Sequence, residues 1–281
     1  MRMKTAQRTL CIFIHYSNSS FIPQYVMVYV SELSNYFDEI ILVTNERFID
    51  NDCLVHNQNV SLVMVKNEGY DFGMFYKVFK SINPSEYIQI ACINDSNILF
   101  NKLTPIFEWS QLTNYDFWGL VDSHEKPYFS THQDNYHIQS HFLVFNSKAI
   151  RLLPEYFESL NIDCLFNEPD QIALKISIIN HWEIGLSQFM MQKGISMGSY
   201  ICSKHYSNLY LRGENRNVLI RLYAQLIRSG FPLIKKSIIF KPKMKHFWKI
   251  RASWKRLIRK YGNHDWDLEK LIVEMENLKN R

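Results

Sequence analysis

Three short segments carry residue types and spacings that could do chemistry. Asn67-Glu-Gly-Tyr-Asp-Phe-Gly73 sets two glycines around an aspartate. Gly69 allows a sharp backbone turn, Asp71 can cap a helix, and Gly73 allows close approach within the first turn. Backbone N–H groups at such a helix start attract phosphate. The segment lacks the GxGxxG and GxxxxGK[ST] nucleotide patterns, and an ordinary capped helix accounts for Asp71 and Phe72 equally well. Asn94-Asp95-Ser96 directly follows the apolar run Ile88-Gln-Ile-Ala-Cys-Ile93. A carboxylate there can hold Mg²⁺ or Mn²⁺ against a diphosphate, and an Asx turn closing a strand explains the same residues without a ligand. Glu183, in His181-Trp-Glu-Ile-Gly-Leu-Ser187, sits beside an apolar aromatic, where a carboxylate can serve as general base. Its plainer use is an acid at the start of a helix.

A fourth group, His132, Asp134, His137, Gln139 and His141, looks metal-like but has no HExxH spacing. In a strand, residues 137, 139 and 141 share one face. That face suits a polar wall for hydroxyl-rich ligands better than a zinc site.

The elements that must position these residues follow from hydrophobic patterning. Leu10–His15, Glu39–Val43, Val60–Val65 and Tyr87–Ile93 are nearly continuous apolar runs, the mark of strands covered on both faces. Ile22, Val26, Val30, Leu33 and Phe37 fall on one helical face behind the N-cap candidates Ser19 and Ser20. Phe72, Phe75, Tyr76 and Phe79 mark a second helix. This β-α-β-β-α-β alternation predicts an open, mostly parallel α/β sheet flanked by helices. Strands are expected at 117–121, 141–145 and 195–201, and helices near 147–160, 169–180 and 183–193. In open α/β sheets ligands bind beyond the carboxyl ends of the strands. Those ends are polar here: His15-Tyr-Ser-Asn18, Thr44-Asn45-Glu46-Arg47, Lys66 to Asp71, and Asn94 to Ser96.

The chain has 281 residues, 47% of them hydrophobic and 21% charged, enough for one large domain with a packed core and too apolar for wholesale disorder. Five scattered cysteines without a CxxC pair predict buried free thiols in a reducing compartment. No run reaches the ~18–20 apolar residues of a spanning helix, and the chain reads as cytoplasmic. The net charge of +5 is unevenly placed: residues 235–260 hold eleven of the 32 lysines and arginines and none of the 27 acids. Within them Phe247, Trp248, Ile250, Trp254, Leu257 and Ile258 recur at mostly helical spacing. Three uses compete: binding an anionic membrane surface, binding nucleic acid, or docking the apolar stripe on the body while the cations stay solvated. The division expected is a domain over 1–234 and a basic amphipathic helical segment over 235–281.

Asn67-x-Gly-Tyr-Asp-Phe-Gly73, Asn94-Asp95-Ser96, His137-x-Gln-Ser140 with Phe142-x-x-Phe145, Glu183-x-x-x-Ser187 and Gly230-Phe-Pro-Leu-Ile-Lys235 occur in the order seen in rhamnan synthesis protein F and related bacterial polysaccharide glycosyltransferases. The chain resembles that family over roughly residues 8–237. The resemblance implies a GT-A-like fold and an inverting transfer of rhamnose or a similar sugar from a dTDP-rhamnose-type donor. It implies a lipid-linked glycan acceptor at the cytoplasmic membrane face, and no nucleic acid. It puts Asn94-Asp95-Ser96 where GT-A enzymes keep Asp-x-Asp, with Asp95 as the ligand of Mg²⁺ or Mn²⁺. His15, Asn45, Asn67, Gly69, Tyr70, Asp71, Gly73, Asn94, Asp95 and Ser96 are then expected around the nucleotide diphosphate. His137, Gln139, Ser140 and Trp182 are expected along the sugar or acceptor cleft, and Glu183 as the base. Met74-Phe75 departs from relatives that carry a small polar residue and then Trp. The competing functions are a nucleotidyl or sugar-phosphate transferase and a glycan-binding subunit without catalysis.

Overall fold

A computed structural model describes residues 8–16, 21–45, 58–214, 216–240 and 248–279. Ser17 to Ser20, Glu46, Arg47, Cys53 and Phe247 lie outside them. The first half alternates strands and helices: β1 (Arg8–His15), α1 (Gln24–Leu33), β2 (Glu39–Thr44), β3 (Val60–Met64), α2 (Tyr70–Ser81) and β4 (Tyr87–Asn94). Next come β5 (Asn97–Leu99), α3 (Thr104–Thr113), β6 (Phe117–Ser123), β7 (His137–Ile138), β8 (Phe142–Asn146), α4 (Ser147–Glu158), α5 (Ile162–Phe166) and α6 (Gln171–Ile178). The chain ends in α7 (Leu186–Gln192), β9 (Met197–Ile201), α8 (Ser203–Tyr210), α9 (Val218–Arg221), α10 (Tyr223–Arg228), β10 (Leu233–Lys235), α11 (Lys236–Phe240), α12 (Trp248–Tyr261) and α13 (Leu268–Lys279).

The main sheet has the order β3-β2-β1-β4-β8-β6, with β7 on the end of β6 and β9 beside β6. β1, β2, β3 and β4 run parallel, as do β6 and β9, and β8 is antiparallel to both its neighbours. The expected open, mostly parallel sheet is what the chain forms. From β1 the chain steps outward to β2 and β3, then crosses back to β4 on the other side of β1. The strand order therefore reverses between β1 and β4, the point where α/β sheets open a crevice.

Because side chains alternate along a strand, β1 feeds two cores. Cys11 and Phe13 join Val26 and Val30 of α1, Phe107 of α3, Leu226 of α10, and residues of α12 and α13. Leu10, Ile12 and Ile14 join Phe72 and Phe75 of α2, Leu153 of α4 and Met190 of α7. The C-terminal helices thus belong to the first core. Trp254, Leu257 and Ile258 of α12 are buried there with Leu271, Ile272 and Met275 of α13, each such side chain contributing about 1.5–3 kcal/mol by burial.

Of the three uses open to the basic segment, docking describes these apolar residues. Its cations are partly spoken for as well. Arg259 forms a paired contact with Glu269 at 2.6 and 2.8 Å, and Lys255 pairs with Glu276. Cys11 and Cys92 are buried free thiols, but Cys164 and Cys202 are exposed, because each lies at a short helix on the surface rather than in a strand. Among the described residues no helix is long and apolar enough to cross a membrane.

Candidate functional site

The carboxyl ends of β1 and β4 lie side by side, with Ile14 in register with Asn94 and Asp95 N–H donating to the Ile14 carbonyl at 3.1 Å. Two clusters of polar side chains gather there, one facing α1 and one facing α2.

On the α1 side, three donors meet a single oxygen. Asp95 Oδ2 accepts from His15 Nδ1 at 2.6 Å, Tyr25 Oη at 3.0 Å and Lys236 Nζ at 2.9 Å. Burial alone would raise the Asp95 pKa, but the His15 hydrogen bond and the Lys236 charge outweigh it and hold the carboxyl below its ordinary value. Asp95 is therefore an ionised carboxylate wrapped by donors. Lys236 also sits 5.2 Å over the Tyr25 ring. A small second sheet brings it here: β10 pairs antiparallel with β5, and the backbone N–H of Lys236 donates to the Ser96 carbonyl at 2.9 Å. Tyr25 is held from farther away. Helix α1 begins after Pro23 without a side-chain cap of its own. Glu274 of α13 supplies one, accepting from the backbone N–H groups of Gln24 and Tyr25 at 2.6 and 3.0 Å.

On the α2 side, Asn94 Nδ2 donates to Asp71 Oδ2 at 2.6 Å, while Asn94 Oδ1 accepts from the Ser96 backbone N–H at 3.0 Å. Asn94 thus closes an Asx turn and also reaches Asp71. The Asp71 carboxyl is pushed up to about 7 by burial and by the Asp95 carboxylate; Lys236 opposes this, Glu183 adds to it, and Asn94 opposes it. Asp71 does not cap its helix. Gly69 holds the N-cap position at φ 74°, with no side-chain cap. Gly73 serves α2's own packing: a Cβ there would overlap the Glu68 carbonyl and approach Phe166. Tyr70 also has a positive φ of 55° and donates to the Gln171 carbonyl at 3.4 Å, outside the cluster.

Glu183 enters from above this side. Residues Ile179–Gly185 form a π-helical stretch that joins α6 to α7 without a break, so Glu183 lies mid-helix and not at the start of one. Two carbonyls of the stretch accept side-chain donors: His132 Nε2 donates to the Asn180 carbonyl at 2.9 Å and Tyr156 Oη to the His181 carbonyl. The half-buried Glu183 carboxylate accepts from Ser140 Oγ. Ser187, one turn on, accepts from the Ile138 N–H at 3.1 Å and ties the helix to β7.

A family model described as Rhamnan synthesis protein F matches residues 40–275. The chain belongs to this family. The family match takes in residues 235–275 as well as the tips of β2 and β4. Virulence protein VirA of Vibrio anguillarum (strain ATCC 68554 / 775) is 27% identical over 195 residues, covering 62% of this chain and 60% of that protein. The chain thus spans about three fifths of that curated relative's length. Among solved structures, 4-diphosphocytidyl-2C-methyl-D-erythritol synthase from Anaerococcus prevotii DSM 20548 is 13% identical with a TM-score of 0.42, covering 73% of this chain and 99% of that one. Glycosyltransferase GlyE of Streptococcus pneumoniae TIGR4 is 11% identical with a TM-score of 0.40, covering 91% of this chain and 63% of that one.

For this rhamnan synthesis protein F relative, the expected residues divide in two. His15, Asp71, Asn94, Asp95, Ser96, Ser140 and Glu183 gather at the β1/β4 tips. Asn45 closes β2, and Asn67, with its Oδ1 buried and unpartnered, leads into α2. The others do different work. Trp182 is 2% exposed and packs on Phe72, Phe75 and Phe157, so it is a core residue with no face for a sugar.

His137 and Gln139 are buried and bonded to backbone, Nδ1 to the Asn135 carbonyl at 2.8 Å and Nε2 to the Asp122 carbonyl at 3.3 Å. β7 is only two residues long, so 137, 139 and 141 do not form one strand face. Asp95 does not fit the role of a divalent-ion ligand, because its Oδ2 carries three donors, one of them an ammonium. Among the described residues no group of three His, Cys, Asp or Glu could hold a metal. Lys236 and Tyr25 are the site residues that sequence patterning did not single out; the nearby Gly230–Lys235 motif was the available signal.

Proposed function

We propose that the protein transfers a sugar, rhamnose or a similar hexose, from a nucleotide-diphosphate donor to a growing cell-surface glycan, with inversion. The observation that carries this reading is the convergence of Asp71, Asn94, Asp95, Lys236 and Glu183 where the strand order reverses. Such a crevice takes nucleotides in α/β sheets. The diphosphate would lie over the β1 and β4 tips, near the Lys236 ammonium.

Glu183, held by Ser140, would take the proton of the acceptor hydroxyl. The hydroxyl oxygen forms a bond to the anomeric carbon as the bond from that carbon to the phosphate oxygen breaks. The nucleoside diphosphate departs with that electron pair, and cationic stabilisation of its charge is commonly the largest catalytic contribution. A lipid-linked acceptor at a membrane surface fits the family's polysaccharide role.

The test is Glu183→Gln. Turnover should fall by roughly 10²–10⁴ while donor binding stays near normal, and unchanged turnover would remove Glu183 from the mechanism. The product distinguishes the rival transfer: free nucleoside diphosphate marks a glycosyltransferase, and pyrophosphate marks a nucleotidyl transferase.

A further inference from the structure

Asp95 stands at the strand end where an Asp-x-Asp enzyme would bind its metal, yet its Oδ2 is occupied by a lysine. Lys236 Nζ lies 2.9 Å from that oxygen and its side chain is 25% exposed, so one side of the ammonium is held by the protein and part of it is open. Its position is fixed at three points. β10 pairs with β5 through Leu233–Leu99, Ile234–Ile98 and Lys235–Asn97; the Lys236 N–H binds the Ser96 carbonyl; and the ammonium rests over the Tyr25 ring.

On the elements that carry it and their neighbours, buried polar atoms have no partner among the described residues: His15 Nε2, Oδ1 and Nδ2 of Asn97, His141 Nε2 and Ser237 Oγ. His15 and Asn97 are each 1% exposed. Buried polar groups are nearly always paired, so this set is laid out for hydrogen bonds that the described residues do not supply. A divalent ion cannot share the site on equal terms, because it would have to displace the ammonium from Oδ2 or stand against its charge.

We infer that Lys236, anchored by Asp95, is the built-in cation that binds the donor's diphosphate, and that nucleotide binding by this protein needs no divalent metal. This rests on the proposed nucleotide-sugar transfer. It deepens that reading by giving the metal's electrostatic task to a side chain from the segment after β10. A lysine suits the task as a compact point charge with three donors: one satisfies Asp95, and others remain for phosphate oxygens.

The experiment is isothermal titration of the full chain with dTDP and with UDP, first in EDTA and then in excess Mn²⁺. The expected result is binding in EDTA that Mn²⁺ changes by no more than about twofold. Lys236→Met should weaken it roughly ten- to a hundredfold, the loss of a charged hydrogen bond, and Lys236→Arg should keep most of it. Binding that appears only with Mn²⁺, or a Lys236→Met protein that binds like wild type, overturns the inference and leaves the transfer reading standing. No binding under either condition overturns both. Should Lys236→Met fail to fold, the EDTA comparison on the unaltered protein still decides.

Discussion

The two sides of the β1/β4 tip each hold a carboxylate, Asp95 just beyond β4 and Asp71 in the first turn of α2, and treat them in opposite ways. Asp95 faces α1, receives three donors including an ammonium, and is held below its ordinary pKa. Asp71 is pushed up to about 7 by burial and then by Asp95 and Glu183, against the pull of Lys236 and of one amide donor. Groups whose surroundings drive their pKa values apart are suited to different roles. The α1 side is an electrostatic platform that stays charged; the α2 side can gain or lose a proton near neutrality, next to the proposed base. The division also shows what the C-terminal helices are for. Lys236 and Glu274 both bond to the α1 side, whereas the α2 side is assembled from α2, Asn94 of β4, the π-helical stretch and Ser140.

The contrast can be broken most severely from the α1 side. Asp95→Ala strands the Lys236 ammonium and His15 without their acceptor and should cost about 3–5 kcal/mol, read from the urea midpoint, along with loss of nucleotide binding. On the α2 side, Gly73→Ala forces the helix start away from the Glu68 carbonyl and should cost about 1–3 kcal/mol; a protein as stable as wild type would mean that α2 begins differently.

The pH dependence separates the two carboxylates by sign. For Asp71 the folded pKa lies above the unfolded one, so the unfolded chain releases the proton first and stability falls as pH rises from about 4 to about 7. The slope is at most about 1.4 kcal/mol per unit, and Asp71→Asn should flatten it. For Asp95 the folded pKa is depressed, so its contribution is full above about pH 4 and is lost as pH falls through the folded value. Thermal melts across pH 3–8 on wild type and Asp71→Asn would show whether the two windows exist. The smallest effect expected is at Glu274→Ala, which uncaps α1 for about 1 kcal/mol and should loosen Tyr25 without touching the α2 side.

The first half of the fold was legible because its strands are buried on both faces and read as unbroken apolar runs. Ile22, Val26, Val30, Leu33 and Phe37 all prove buried along α1 and its flanks. Asn94-Asp95-Ser96 and Asp71 were legible as polar groups at strand and helix ends, and the structure brings them together. Lys236 was not, because within a run of eleven cations any one lysine looks like solvated surface, and only the pairing of β5 with β10 singles it out.

The π-helical stretch was hidden for a similar reason. Its sequence keeps helical spacing, and the side chains bonded to its carbonyls, His132 and Tyr156, come from distant parts of the chain. Trp182, which the family resemblance implied would line the sugar cleft, instead completes the aromatic packing under α2.

A nucleoside diphosphate sugar held at the tips of β1 and β4 would be visible in a complex. A crystal structure of the chain soaked with dTDP-rhamnose tests that placement most directly. The pyrophosphate should lie within hydrogen-bonding distance of Lys236 Nζ, with the anomeric carbon open toward Glu183. Density for the nucleotide at any other surface, with Asp95 and Lys236 still paired only to each other and their present neighbours, would contradict it.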